Sequence, residues 1–324
     1  MAVAAPSTPL TSPEKGEYTF EDYGDADVMS PGEPPIYVHC KLTVRNGTLT
    51  FDYSNSGPAP RSSWGAQRPT CIAGTITGLM CSFPHLFPIN HGILRSVDII
   101  TKLGTSVHVL EPAGTTGYCS GSFDKCEAVS MACLAQPLAK VKPHRATAGW
   151  VSLTNLCIGG VRPQSKRAFV DYTWAMGGAR TFKDGPSYAA MRFLAAGNTI
   201  PMELEERWFP LLFTKFEATP DSGGHGKFRG GCGLERRLRV RADAVLTIHG
   251  DREKFPPHGI AGGGNGGPGA LKLNVGTPEE RQLGMYAADV RVTDRDEIYF
   301  CSAGGGGYGN PLDRDPWRVL EDVK

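Results

Sequence analysis

Three glycine-dense segments, at 221–233, 259–269 and 304–309, constrain this chain more than any other feature of it. Glycine loses more conformational freedom on folding than any other residue. A run of it therefore persists where the folded backbone needs something a Cβ would forbid. The need is either positive φ or close approach of one backbone to another. Strand-like stretches (LLFTKFEATP, AVLTIHGD and EIYFCSA) precede the three segments. This pattern predicts tight backbone packing within the fold or against another chain, or loops that line a substrate or partner groove.

A nucleotide site is the first function to test. In the first segment Lys227 is followed by Phe228, so no hydroxyl is placed for magnesium as a P-loop requires. Gly264–Gly269 and Gly304–Gly309 each satisfy GxGxxG. A dinucleotide fingerprint also needs a helix directly afterwards and an acidic residue about 20 positions on. The strand-like LKLNV follows the second segment, and only residues 310–324 follow the third. Both fail on context. The candidate substrate- or partner-lining residues are Asp221, His225 and Arg229 in the first segment, Gly264 in the second, and Gly306 and Tyr308 in the third. Asp251 and Arg252 join them because they follow the buried-looking strand AVLTI, beside His249. No serine elbow, HExxH or paired-carboxylate motif is present, so no catalytic residue is assigned.

The rest of the chain reads as α+β and β-dominated. Residues 1–16 form a proline-containing flexible lead-in, and 17–35 an acidic extended segment. Alternation from Ile36 to Val44, the pair Asn46-Gly47, and renewed alternation at Leu49, Phe51 and Tyr53 predict a hairpin with a type I′ turn. His39 falls on its polar face. Residues 70–82 fit a buried helix in which Gly74 and Gly78 permit close packing, and 123–139 an amphipathic helix. Strands are expected at 93–100, 105–111, 149–160 and 167–176, an acidic helical turn before Trp208, and a short helix in DPWRVLEDVK. Residues 17–324 read as one region with a possible sub-boundary near 210.

Charge and cysteine content exclude several classes. Lys+Arg is 34 and Asp+Glu is 33, a balance that recruits neither nucleic acid nor an anionic membrane. No apolar run approaches the roughly 20 residues of a membrane span. The N-terminus lacks a basic start followed by an apolar stretch, so a cytoplasmic location is expected. The 9 cysteines include no CxxC pair, and their odd number argues against a disulfide framework. Cys119, Cys126 and Cys133 recur every seven residues. On a helix each step rises roughly 10 Å, too far for one metal ion, so packing is expected and no metal site.

Taken together, DSGGHGKFRGGCGLERRLRV, DREKFPPHGIAGGGNGGPGALKLNV and GGGGYGNPLDRDPWRVLEDV resemble the C-terminal half of hydantoinase B-type subunits. That family extends to 5-oxoprolinases and to acetone and acetophenone carboxylases. The resemblance reaches upstream through PMELEERWFP, the hairpin and GEYTFEDYGDAD, and so covers most of 16–324. It implies a subunit of an ATP-dependent complex. A hydantoinase A-type ATPase partner would bind ATP with Mg or Mn, and this chain would bind no cofactor. The family's metal-binding and catalytic His/Asp residues lie in an N-terminal half that no position here matches. A second partner, an N-terminal-half hydantoinase B-type chain, is therefore implied. His225 and Cys232 stand where small residues are usual. The first expectation is a ketone carboxylase of the acetone or acetophenone type, joining ketone and bicarbonate to a β-keto acid. The alternatives are a hydantoinase- or oxoprolinase-type cyclic-amide hydrolase, and a non-catalytic structural module.

Overall fold

The computed structural model describes residues 15–27, 29–30, 32–45, 47–83, 90–115, 121–150, 154–162, 166, 168–173, 179, 182–187 and 200–323. The expected lead-in lies largely outside them. The chain divides into two compact units, one of residues 1–147 with 180–182, the other of 148–179 with 183–324. The division falls upstream of the suggested position near 210. Residue 210 instead sits inside the second unit, where the strand at 155–161 pairs on one side with 168–173 and on the other with 244–249.

In the first unit, β1 (Gly16–Gly24), β2 (Ile36–Arg45), β3 (Thr48–Asp52) and β4 (Val97–Ile100) form a sheet in that order. The first three run antiparallel, and β4 joins β3 in parallel. The hairpin forms as expected, and Gly47 supplies φ +79 at its turn. Ile36, Val38, Cys40, Leu42 and Val44 bury one face of β2. His39, expected in solvent, is half-buried beside Tyr37. Residues 105–111 do not form the expected strand. They make isolated bridges and turns, with Val107 and Val109 buried.

Helix α1 (Arg68–Ser82) packs on α2 (Ser122–Val141), which in turn lies on β1 and β2. This sandwiching overturns the amphipathic expectation for α2, which is buried from Ser122 to Ala135 except at Phe123. A Cβ at Gly74 of α1 would stand 2.7 Å from the Phe123 carbonyl oxygen, and one at Gly78 would stand 2.9 Å from that of Glu127. Glycine is what lets the two helices approach. Burial brings polar groups with it: Lys125 on α2 is fully buried, 3.5 Å from the Asp22 carboxylate on β1. Cys126 and Cys133 are buried thiols. Cys126 Sγ lies 3.5 Å from Cys71 Sγ, and Cys133 Sγ faces the Cys40 carbonyl. Burial raises the Cys126 and Cys40 thiols well above the ordinary range, as suits packing residues. Cys119 lies outside the described residues.

The second unit holds β5 (Asn155–Val161), β6 (Ala168–Thr173), α3 (Met202–Trp208), β7 (Leu211–Ala218), β8 (Leu234–Val240), β9 (Ala244–His249), β10 (Ala270–Leu273), β11 (Arg281–Gln282), β12 (Tyr286–Val292), β13 (Glu297–Cys301) and α4 (Pro316–Val323). One sheet runs β12-β9-β5-β6 and the other β11-β10-β13-β8-β7. Their inner faces share one core, to which Leu156, Ile158, Leu246 and Ile248 contribute from the first and Leu238, Leu271, Ile298 and Phe300 from the second. The strand β12 was not legible in the sequence. It carries a bulge between Ala287 and Val290, which breaks the alternation a half-buried strand would show.

Candidate functional site

The three glycine segments lie together in the second unit and hydrogen-bond to one another through their backbones. Gly224 N donates to Gly305 O (2.8 Å), Gly305 N to Gly231 O (3.0 Å) and Gly304 N to Gly267 O (3.0 Å). Gly264 N donates to His225 O (2.7 Å), Gly307 N to Gly264 O (2.9 Å) and Gly267 N to Ser222 O (2.6 Å). Phe228 and Tyr308 exchange bonds in both directions. Residues 148–150 and 179 complete the arrangement: Gly306 N donates to Gly149 O, Gly149 N to His258 O and Ala179 N to Gly306 O.

This lattice explains the composition. A Cβ on Gly230, Gly266, Gly304 or Gly306 would lie closer than 3.0 Å to backbone atoms of Gly305, Gly304, Ser222 or His258 respectively. Within the three segments, only Gly262 (φ +90) and Gly309 (φ +77) are glycine residues that use positive φ. Close approach is thus the dominant need. Many of the amides of these segments, among them those of Gly224, Gly264, Gly305 and Gly307, are donated to backbone carbonyls.

The sequence-derived site residues scatter over this lattice. His225 is exposed, with its imidazole lying over Gly264. Gly306 is buried against the His258 backbone, and half-buried Tyr308 has its phenol raised by burial. Asp221 is exposed, at φ +56 on the turn after β7. Asp251 and Arg252, expected to line a groove, lie in the interior of the unit. Both are 1% exposed; Arg252 sits at φ +77 and donates to the Phe255 carbonyl, and its own carbonyl accepts from Gly269 N. A β-strand end here turns into the protein instead of out to solvent. His249 is half-buried and stacked on Tyr286, ring centroids 4.9 Å apart, and burial lowers its pKa.

Arg229 belongs to an ion-pair network that holds α4. Arg314 grips both oxygens of Asp184 (2.8 and 3.0 Å) and also bonds Asp322 on α4 (2.7 Å). Arg229 Nε donates to the other Asp322 oxygen (2.8 Å) and its backbone N–H to Asp184 (2.9 Å). Arg318, also on α4, lies 3.5 Å from Asp184. Burial alone would raise the Asp184 pKa. The Arg314 and Arg229 donors outweigh it, and Asp184 is held below the ordinary carboxylate value. The sequence offered no signal for this cluster, because Asp184 and Arg229 lie 45 residues apart and 93 to 134 residues from their partners at 314–322.

A second buried pair went unread for the same reason. Arg236 takes a core-facing position on β8, in step with Leu238 and Val240. It pairs with Glu205 of α3 and lies over the Phe213 ring, 4.5 Å from its centroid. Both charges are buried. Among the described residues, no group of three or more His, Cys, Asp or Glu side chains is placed to hold a metal ion. Nor is any helix long and apolar enough to cross a membrane. An open depression of about 730 Å³ at the ends of β5, β9 and β12 carries Arg162, Lys166, Asp243 and Arg291. Arg162 is already engaged there by the Trp208 carbonyl.

Fold and site together define an α+β chain whose most distinctive feature is a backbone lattice built from three glycine segments. The chain belongs to the Hydantoinase B/oxoprolinase family, which it matches over residues 4–311. A protein named as the B component of a D-/L-hydantoinase of Pseudomonas sp. (strain NS671) is 27% identical over 324 residues, covering 95% of this chain and 52% of that protein. The beta chain of the caprolactamase of Pseudomonas jessenii is 28% identical over 268 residues, covering 78% of this chain and 45% of that one. Two solved structures share the fold across 97% of the chain. They are a nucleotide-free acetone carboxylase (TM-score 0.83, 19% identity, 48% of its chain) and the ATP-dependent caprolactamase of Pseudomonas jessenii (TM-score 0.82, 24% identity, 55% of its chain). The chain spans about half the length of these relatives.

Proposed function

We propose that this chain is a subunit of an ATP-dependent complex that opens cyclic amides, with ATP and its Mg or Mn ion held by a hydantoinase A-type partner. The observation that carries this reading is the similarity, at 27–28% identity, to chains named for hydantoinase and caprolactamase. The glycine lattice is consistent with it: amides donated to carbonyls, as at Gly224, Gly264, Gly305 and Gly307, are not offered to a phosphate. In this reading the partner transfers the γ-phosphoryl group to the ring amide oxygen. Water then adds at the activated carbon, the C–N bond breaks to release the amine and leave an acyl phosphate, and a second water converts that to carboxylate and phosphate. The lattice keeps the chain's contribution to the complex rigid.

Ketone carboxylation, the first expectation from sequence, stands second. It is supported by the shared fold with acetone carboxylase, and in it phosphorylated enol would combine with activated bicarbonate. Co-purification through a tag on this chain tests the general reading, which expects a hydantoinase A-type ATPase beside it. Bicarbonate dependence separates the two chemistries. Ring opening of hydantoin, 5-oxoproline or caprolactam without bicarbonate supports the first reading. Turnover only with a ketone and bicarbonate replaces it with the second. Absence of any ATPase partner removes both.

A further inference from the structure

The helix α4 is oriented inside out. Its sequence, PWRVLEDV, places Pro316, Trp317, Val319, Leu320 and Val323 on one side and Arg318, Glu321 and Asp322 on the other. A surface helix ordinarily turns its apolar side to the core. Here the polar side faces the protein: Arg318 and Asp322 are the residues tied to Asp184, Arg229 and Arg314. No residue of α4 is buried. Trp317 is 74% exposed, Val323 80%, and Leu312, just ahead of the helix, 90%. A tryptophan and neighbouring aliphatics held in water by a dedicated ion-pair network form a preorganised contact surface.

Charge decides what fits that surface. The three arginines near α4 are engaged on Asp184 and Asp322. Among the described residues, the remaining side-chain charges of segment 312–323 are acidic: Asp313, Asp315 and Glu321, all exposed. A second copy of this chain meeting it across a two-fold axis would set acidic rim against acidic rim. We propose that α4 with Leu312 is a docking anchor for a different polypeptide, one presenting an apolar groove rimmed by Lys or Arg. Two helical turns bury too little for a stable complex alone, so the anchor forms part of a larger contact. The inference rests on the complex-subunit reading only in expecting a partner polypeptide.

The test uses the complex purified through a tag on this chain, with a photo-crosslinking amino acid at position 317 and, as control, at exposed Glu279. Crosslinking from 317, but not 279, to a second kind of polypeptide at an apolar segment flanked by Lys or Arg is the expected result. The variants Trp317→Ala and Leu312→Ser should each weaken its association about 30-fold, and Glu321→Lys should weaken it and flatten its salt dependence. Circular dichroism and proteolysis of each variant check that α4 stays in place. A crosslink to another copy of this chain, or an intact complex with position 317 uncrosslinked, overturns the proposal. No complex at all removes the subunit reading as well, and so is told apart from failure of the anchor alone.

Discussion

Gly306→Ala tests the backbone lattice most sharply. The new Cβ would overlap the His258 carbonyl and crowd Gly259 N. Neither neighbour is a flexible side chain, so a backbone segment must move. Three bonds hold these segments: Gly306 N to Gly149 O (2.9 Å), Ala179 N to Gly306 O (3.0 Å) and Gly149 N to His258 O (2.7 Å). Losing two of them in a buried setting costs about 1–3 kcal/mol each. Overpacking adds about 1–3 kcal/mol where relaxation is incomplete. The expected loss is roughly 3–9 kcal/mol, a large part of the roughly 5–15 kcal/mol typical of a domain. Two compact units need not unfold together, so hydrogen exchange followed by mass spectrometry is the assay, read on peptides covering 222–233, 257–269 and 302–309. Two controls calibrate it. Gly114→Ala meets only ordinary contacts, the nearest at 3.5 Å, and should change little. Gly276→Ala has nothing within 4 Å but sits at φ +81, and should cost about 1–2 kcal/mol from the left-handed backbone alone. If Gly306→Ala loses less than Gly276→Ala, close approach is not why these segments are glycine.

The other predictions concern buried charge and the α4 network. Glu205→Ala should destabilise the second unit by about 3–5 kcal/mol, because it strands the buried Arg236; Glu205→Leu with Arg236→Met should recover most of that loss in denaturant titrations. Lys125→Met should cost the first unit a similar amount by leaving Asp22 buried beside an apolar chain, as thermal unfolding would report. Asp184 is held below its ordinary value in the folded protein, so its contribution is fully present above the unfolded pKa of about 3.9. It is lost as pH falls from there through the depressed folded value. Pepsin should therefore begin to release α4 below about pH 4, and Asp184→Asn should let trypsin cut at Arg318 near neutral pH. If α4 stays protected in both cases, the ion pairs do not hold it.

Much of the fold was legible because it is written locally. The hairpin of β2 and β3 follows from alternation and one Asn-Gly pair. The contact between α1 and α2 follows from Gly74 and Gly78 four residues apart. The three glycine segments were visible as a backbone requirement, but not as one lattice, since their partners lie tens of residues away. Positions decided by tertiary context were misread. Residues 105–111 alternate like a strand yet find no neighbouring strand to pair with over that length. The helix α2 looks half-polar but is covered on both sides, which puts Lys125 and Asp22 in the core. Arg252 looks like a strand-end charge and is buried. The network of Asp184, Arg229, Arg314 and Asp322 could not be anticipated, because no spacing rule links those positions. Nor could α4 be oriented from its sequence: its periodicity names an apolar side but not what that side faces.

The central claim is that this chain supports chemistry whose ATP is handled by another polypeptide. The most direct measurement is phosphate release and ring opening from MgATP with hydantoin, 5-oxoproline or caprolactam, for this chain alone, for the hydantoinase A-type and N-terminal-half hydantoinase B-type partners without it, and for all of them combined. Coupled turnover is expected only in the combined sample, with one phosphate released per ring opened. ATP hydrolysis by this chain alone, or full ring opening by the partners without it, would refute that division of labour.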